Sequence, residues 1–132
     1  MHMQDLLAKA REARECAYAP YSNFKVGAVL LGEDGKWYYG CNVENVAYGP
    51  TNCAERTALF RAISDGCAPH SFQAIAVVAD TEQLISPCGV CRQVMVELCK
   101  PDMRVIVSNM LGEYHETTVS DLLPDAFLHM NR

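Results

Sequence analysis

Two short pieces of this chain put soft metal ligands beside a lone carboxylate: Asn52-Cys53-Ala54-Glu55-Arg56 and, further along, Ser86-Pro87-Cys88-Gly89-Val90-Cys91-Arg92. A Cys-x-x-Cys pair at the start of a helix sets its sulfurs about one turn apart, where backbone N–H groups and the positive dipole end lower the thiol pKa. Thiolates are the form a metal binds. Cys53, at the start of another expected helix, adds a third soft ligand, and three sulfurs suit zinc at about 2.3 Å each. Three protein ligands leave one corner of the tetrahedron. At a catalytic zinc that corner takes water, whereas a structural zinc normally fills it with a fourth Cys or His. No fourth ligand stands at metal-finger spacing, and His70 is the nearest candidate in sequence. Glu55 is placed to carry protons beside such a water without joining the ligands, which is a hydrolytic design. Three thiolates outweigh the charge of Zn2+, so the site needs compensation. Two helix N-termini contribute, and Arg56 is the further compensator, because a unit charge pair at ~4 Å is worth about 4 kcal/mol at an effective dielectric near 20.

These residues must be held by something, and the hydrophobic periodicity indicates what. Leu6, Leu7, Ala10, Ala13 and Ala17 recur at helical spacing, which predicts an amphipathic helix over Met3 to Ala17, broken by Ala19-Pro20. Lys25 to Leu31 and Trp37 to Val43 read as strands joined by the turn Gly32-Glu33-Asp34-Gly35. Asn52 is the expected N-cap of a helix through Ser64, with Glu55 completing a box-like signal. Phe72 to Ala79 is an apolar run of the kind found in a strand covered on both faces. A helix from Cys88 to Cys99 follows, then strands over Arg104 to Ser108 and Tyr114 to Thr118, and a last helix near Ser120 to Leu123. This order predicts an α/β fold with one mixed sheet, in which the two apolar strands flanking the Cys88 helix run parallel.

The chain has 132 residues, 50% hydrophobic and 20% charged, which fits one globular domain over 1–132 and excludes disorder for most of it. The net charge of −5, with basic residues spread along the chain, argues against a nucleic-acid partner. No run approaches the roughly 20 apolar residues of a membrane helix, and the N-terminus lacks a signal-peptide layout. Seven cysteines, at 16, 41, 53, 67, 88, 91 and 99, form an odd and irregular set. Such a set fits thiols and metal ligands in a reducing compartment, so a cytoplasmic location is expected.

The motif Cys53-Ala54-Glu55 followed by Pro87-Cys88-x-x-Cys91 matches the zinc deaminase signature. Ala17-Tyr18-Ala19-Pro20-Tyr21-Ser22, Phe24-x-Val26-Gly27-Ala28, Gly40-Cys41-Asn42-Val43-Glu44-Asn45, Cys53 to Ala58 and Cys88-Gly89-x-Cys91-Arg92-Gln93 extend the match. Together they resemble the short, homotetrameric cytidine deaminases from the first helix to about Phe127. The resemblance implies a three-layer α/β/α fold with a mixed five-stranded sheet and one Zn2+ per subunit on Cys53, Cys88 and Cys91. It also implies hydrolysis of cytidine and deoxycytidine to uridine and deoxyuridine in pyrimidine salvage. In that family a water activated at the zinc attacks C4 of the pyrimidine. Glu55 would carry the protons to N3 and to the departing amine.

The same resemblance assigns further roles. The Ala54 N–H would hold the carbonyl oxygen at C2, Phe24 would pack on the base, and Asn42 and Glu44 would hydrogen-bond the ribose 3′-hydroxyl. Arg56 would donate to the zinc-bound sulfurs. Tyr48 would bind substrate and Phe127 would reach a neighbouring subunit's pocket in a homotetramer, with Leu123-Pro124-Asp125-Ala126-Phe127 departing from the family pattern at Asp125, where Gly is usual. Gly49-Pro50-Thr51 lies in a stretch where relatives vary. The rival readings are a deaminase acting on blasticidin-like nucleosides, free bases or bases in RNA, and a zinc-stabilised binding module without catalysis.

Overall fold

The apolar residues of the central strands alternate between two destinations, and that alternation makes the layers. The computed structural model describes residues 2–130. In strand β1 (Val26–Gly32), Val26, Ala28 and Leu30 face one core, while Val29 and Leu31 face another. Strand β3 (Phe72–Ala79) does the same, sending Ile75, Val77 and Ala79 one way and Ala74, Ala76 and Val78 the other. A strand side-chain period of two thus gives a sheet apolar on both faces, which helices must cover on each side.

Helix α1 (Met3–Arg14) covers one face with Leu6, Leu7 and Ala10. Helices α2 (Ala54–Ser64) and α3 (Gly89–Leu98) cover the other with Ala54, Ala58, Leu59, Ala62, Cys91 and Met95. Strands β2 (Trp37–Cys41), β4 (Arg104–Asn109) and β5 (Tyr114–Thr118) complete a five-stranded sheet ordered β2-β1-β3-β4-β5, and the short helix α4 (Val119–Leu122) follows. β3 and β4 are the parallel pair and the remaining pairs are antiparallel, so the sheet is mixed and the fold is the expected three-layer α/β/α arrangement. Among the described residues no helix is long and apolar enough to cross a membrane.

Element ends differ from the periodicity in ways the backbone explains. α1 stops at Arg14 rather than Ala17, and the chain turns so that Tyr18 can bridge to Val43. β2 ends at Cys41, which leaves Asn42 and Glu44 beyond the strand. Asn52 does not cap α2. Its backbone is held in a bridge with Val43, donating to Val43 O at 2.9 Å and accepting from Val43 N at 3.0 Å. The helix therefore starts one residue later, with Cys53 at the cap position, and the Asn52 side chain donates to Thr57 Oγ1 instead.

One glycine sets the height of α2 above the sheet. A Cβ on Gly40 would lie 2.3 Å from Ala54 O and 2.4 Å from Ala58 N, so the first turn of α2 rests directly on the β2 backbone. That turn carries Cys53, Ala54 and Glu55.

Candidate metal centre and active site

Cys53 and Cys88 occupy the cap positions of α2 and α3, and Cys91 lies in the first turn of α3, so two helix N-termini converge on one spot. The three Sγ atoms lie within 4.8 Å of one another, and Cys53 Sγ and Cys88 Sγ are 3.7 Å apart. A tetrahedron with metal–sulfur bonds of about 2.3 Å puts its sulfurs roughly 3.8 Å apart, so this triangle has the size of a zinc site. No further His, Cys, Asp or Glu joins the cluster among the described residues. His70, the candidate fourth ligand by sequence, is engaged elsewhere. Its N–H donates to Leu98 O at 2.7 Å and its Nε2 lies 3.0 Å from Glu97 O.

The charges also call for a cation. Hydrogen bonding from Cys91 and from the Arg56 guanidinium, whose Nη2 lies 3.4 Å from Cys53 Sγ, draws the Cys53 thiol down to about 5. Cys91 moves the opposite way, held above the ordinary thiol range by its bond to Cys53 and by burial. Of Cys53 and Cys91 the protein alone thus favours one as thiolate, and the second at this spacing requires a positive ion between them. Cys88 Sγ accepts from Cys91 N at 3.5 Å, and Arg56 Nε is buried with no hydrogen-bond partner among the described residues. The donor set, its size and its charge all fit Zn2+.

Against this cluster opens a cavity of about 310 Å3, near the lower end for a small-molecule site. Its walls include Phe24, Asn42, Glu44, Tyr48, Cys53, Ala54, Glu55 and Cys88. Eight residues singled out in the sequence therefore share one cavity, with Cys91 buried beside it and Arg56 reaching its sulfurs.

Glu55 is only 5% exposed, and burial pushes its carboxyl up to about 7. Its own backbone N–H bonds the carboxyl and no other residue's side chain does among the described residues, so it keeps capacity for a partner in the cavity. Ala54 opens α2, and its N–H is one of the helix's unpaired donors.

Asn42 and Glu44 are more occupied than their motif suggests. Asn42 Oδ1 accepts from Val26 N at 2.9 Å and its Nδ2 donates to Phe24 O at 2.7 Å, which pins the backbone on both sides of Lys25, directly after Phe24. Glu44 Oε1 accepts from Tyr21 N at 3.0 Å and Ser22 N at 3.1 Å, and its Oε2 accepts from Ser22 Oγ. Each side chain keeps hydrogen-bonding capacity for one more partner.

Ser22 was not among the candidates by sequence, yet it lines the cavity and engages both Glu44 oxygens. Its signal lay in the Pro20-Tyr21-Ser22-Asn23 turn, where a hydroxyl can tie backbone to side chain.

Phe127 does not line its own chain's cavity. Its side chain is 67% exposed, and its carbonyl accepts from Gln93 Nε2 at 2.9 Å. Asp125, beside it, has φ +54°. Asp is among the few non-glycine residues that adopt this left-handed conformation readily, which accommodates the departure from glycine.

Comparison with known proteins agrees with this geometry. The family model described as the cytidine and deoxycytidylate deaminase zinc-binding region matches residues 1–108. The chain is 58% identical over 127 residues to a cytidine deaminase of Sporosarcina psychrophila, covering 96% of this chain and 92% of the relative. It is 56% identical to that of Halalkalibacterium halodurans, covering 96% and 95%. The crystal structure of cytidine deaminase from Burkholderia pseudomallei superposes with a TM-score of 0.94 at 58% identity, covering 96% of this chain and all of that one. The chain belongs to the zinc-binding cytidine and deoxycytidylate deaminase family and is a zinc-dependent hydrolase.

Proposed function

We propose, with that membership as the premise, that the chain hydrolyses cytidine and deoxycytidine to uridine and deoxyuridine with release of ammonia, a step of pyrimidine salvage. The observation that carries this reading is Glu55, a buried carboxyl that no other residue's side chain engages among the described residues, on the same cavity wall as Cys53 and Cys88. Zinc on Cys53, Cys88 and Cys91, when bound, supplies the Lewis acidity that makes water a nucleophile near neutral pH.

Glu55 takes a proton from that water and delivers it to N3, then takes the second proton from the hydroxyl now on C4 and passes it to the amino group as the bond from C4 to nitrogen breaks. The water oxygen ends on C4 and ammonia leaves. A carboxyl lifted toward neutrality suits both halves of this shuttle, since it gives and accepts protons at similar cost. The Ala54 N–H holds the C2 carbonyl oxygen, Phe24 packs on the base, and Asn42 and Glu44 take the ribose 3′-hydroxyl with their remaining capacity. Arg56 offsets thiolate charge from 3.4 Å.

A free nucleoside is favoured over a nucleotide by the walls of the cavity. Glu44 and Glu55 line it, whereas among the described residues no Lys or Arg does, so a phosphate would meet repulsion without a cationic partner. Tyr48, 87% exposed at the rim, and Phe127 are the aromatic groups that a homotetramer would bury, each completing a pocket at a subunit interface. We assign the chain to the cytoplasm, where seven free cysteines fit a reducing compartment, and read 1–132 as one domain built on the single five-stranded sheet.

The absorbance assay for cytidine loss tests this reading, run with and without a chelator and accompanied by metal analysis. Cytidine and deoxycytidine are expected to turn over, cytosine, the monophosphate and adenosine are expected to be poor substrates, and chelation should abolish activity. Glu55→Gln is expected to keep its zinc while kcat falls by about 10²–10⁴ or more, the usual loss for a missing general acid/base. Preference for the monophosphate would contradict the assignment, and unchanged turnover in Glu55→Gln would remove the proton shuttle.

A further inference from the structure

The segment between β3 and α3 delivers the ligand Cys88 with little backbone support of its own. Thr81 N donates to Ala79 O at 3.1 Å as the chain leaves the strand. From residue 82 to Pro87, among the described residues, a single hydrogen bond holds the chain: Arg92 Nε donates to Pro87 O at 2.8 Å. The same guanidinium reaches further, its Nη1 donating to Leu122 O at 2.8 Å. Leu122 is the last residue of α4, whose terminal carbonyls lack helical partners. One planar fork therefore joins two carbonyls from distant parts of the chain, a geometry that arginine provides and lysine does not.

The location gives the contact its consequence. The carbonyl of Pro87 belongs to the peptide unit that enters Cys88, so its orientation sets the direction in which Cys88 presents its sulfur. Cys88 is the exposed member of the three cysteines, whereas Cys91 is buried in the core, so Cys88 gains the least from packing.

We infer that Arg92 is a positioning residue for the metal ligand Cys88, clamping the Pro87–Cys88 peptide and bracing it against the end of α4. The inference rests on the zinc site assigned above. Arg92 touches neither substrate nor metal and acts through the orientation of one ligand. Partners of this kind, one shell outside the ligands, typically change metal affinity by about 10–100-fold when removed.

The test uses full-length zinc-loaded protein and measures zinc release to a chromogenic chelator, beside metal content and thermal unfolding, for the parent, Arg92→Lys, Arg92→Ala and Gln93→Ala. One zinc per chain in the parent confirms the site on which the comparison depends, and its absence would refute the site rather than the clamp. Arg92→Ala should release zinc at least tenfold faster than the parent. Arg92→Lys keeps the charge but loses the fork, so it should fall between them and serves alone if the alanine variant does not fold. Gln93→Ala, which removes the neighbouring tie to Phe127 O but leaves Pro87 held, should release at the parent rate. Release within twofold of the parent in the arginine variants, whatever their melting temperature, would reduce Arg92 to a structural role and overturn the inference. Equal acceleration in Gln93→Ala would overturn the assignment to the Pro87 carbonyl.

Discussion

Glu44 is tied into the fold through both carboxylate oxygens, and on the proposed function it would serve the substrate as well. Hydrogen bonding from the Ser22 hydroxyl, against a smaller opposing effect of burial and with help from the Ser22 and Tyr21 backbone N–H groups, holds its carboxyl below the usual carboxylate value of 4.5. These donors bond the ionised form, so they favour it. The depressed value means that the contribution of this tie to stability is complete above pH 4.5 and disappears as pH falls through the folded-state value. Ser22→Ala removes the hydroxyl's bond, the strongest of these influences. The expected result, read from the carboxyl carbon of Glu44 by NMR titration, is a midpoint displaced upward from that of the parent. KM for cytidine in the variant should begin its rise at a higher pH on the acid side, while kcat near neutrality stays close to that of the parent. An unmoved midpoint would mean that the backbone N–H groups alone hold the carboxylate. Asn42 is likewise engaged by the fold, with one bond on each side of Lys25, and so ties its own position to the backbone that follows Phe24.

At the scale of elements, the active site depends on how closely α2 approaches β2. Gly40→Ala would place a methyl group 2.3 Å from Ala54 O, and because the obstacle is helix backbone no side chain can swing aside. Overpacking of this kind costs about 1–3 kcal/mol. The start of α2 must lift, taking Cys53 and Glu55 with it, so chemical denaturation should show the stability loss together with weaker zinc retention and lower kcat. Gly35→Ala is the matching control. Gly35 has φ +83° and open space around its would-be Cβ, so the same substitution costs about 1–2 kcal/mol through left-handed backbone while leaving zinc retention and kcat unchanged. Zinc retention unaffected in Gly40→Ala would dissociate the helix height from the metal centre.

The sheet and helices were legible because apolar alternation and helical periodicity are local. The start of α2 was misread because the capping preference of Asn52 is also local, whereas the bridge to Val43 that overrides it joins segments distant in sequence. The metal ligands and Glu55 were legible from motif spacing. Ser22 and Arg92 were not singled out, since their importance comes from carbonyls and carboxylates that only the fold brings within reach.

For the whole molecule, the question is what meets the open side of the cavity. Tyr18, Tyr21 and Val46 are 56%, 58% and 80% exposed, and they lie in the segments that carry the rim residues Ser22, Phe24, Glu44 and Tyr48. Exposed apolar groups gathered around a site are characteristic of surfaces that another molecule covers. Phe127, away from its own cavity and held at its backbone by Gln93, is a candidate to enter a neighbour's. Complementation separates this arrangement from a self-sufficient subunit. Glu55→Gln has a dead cavity but an intact Phe127, and Phe127→Ala has an intact shuttle but no aromatic to lend. If subunits exchange aromatics, mixed oligomers formed by unfolding and refolding the two variants together contain cavities with a working Glu55 and a neighbour's Phe127. Their activity should exceed the sum of the separately refolded variants, and sedimentation should report an assembly larger than one chain. Strict additivity of the two activities would mean that each chain completes its own site, and the exposed phenylalanine would then need another role.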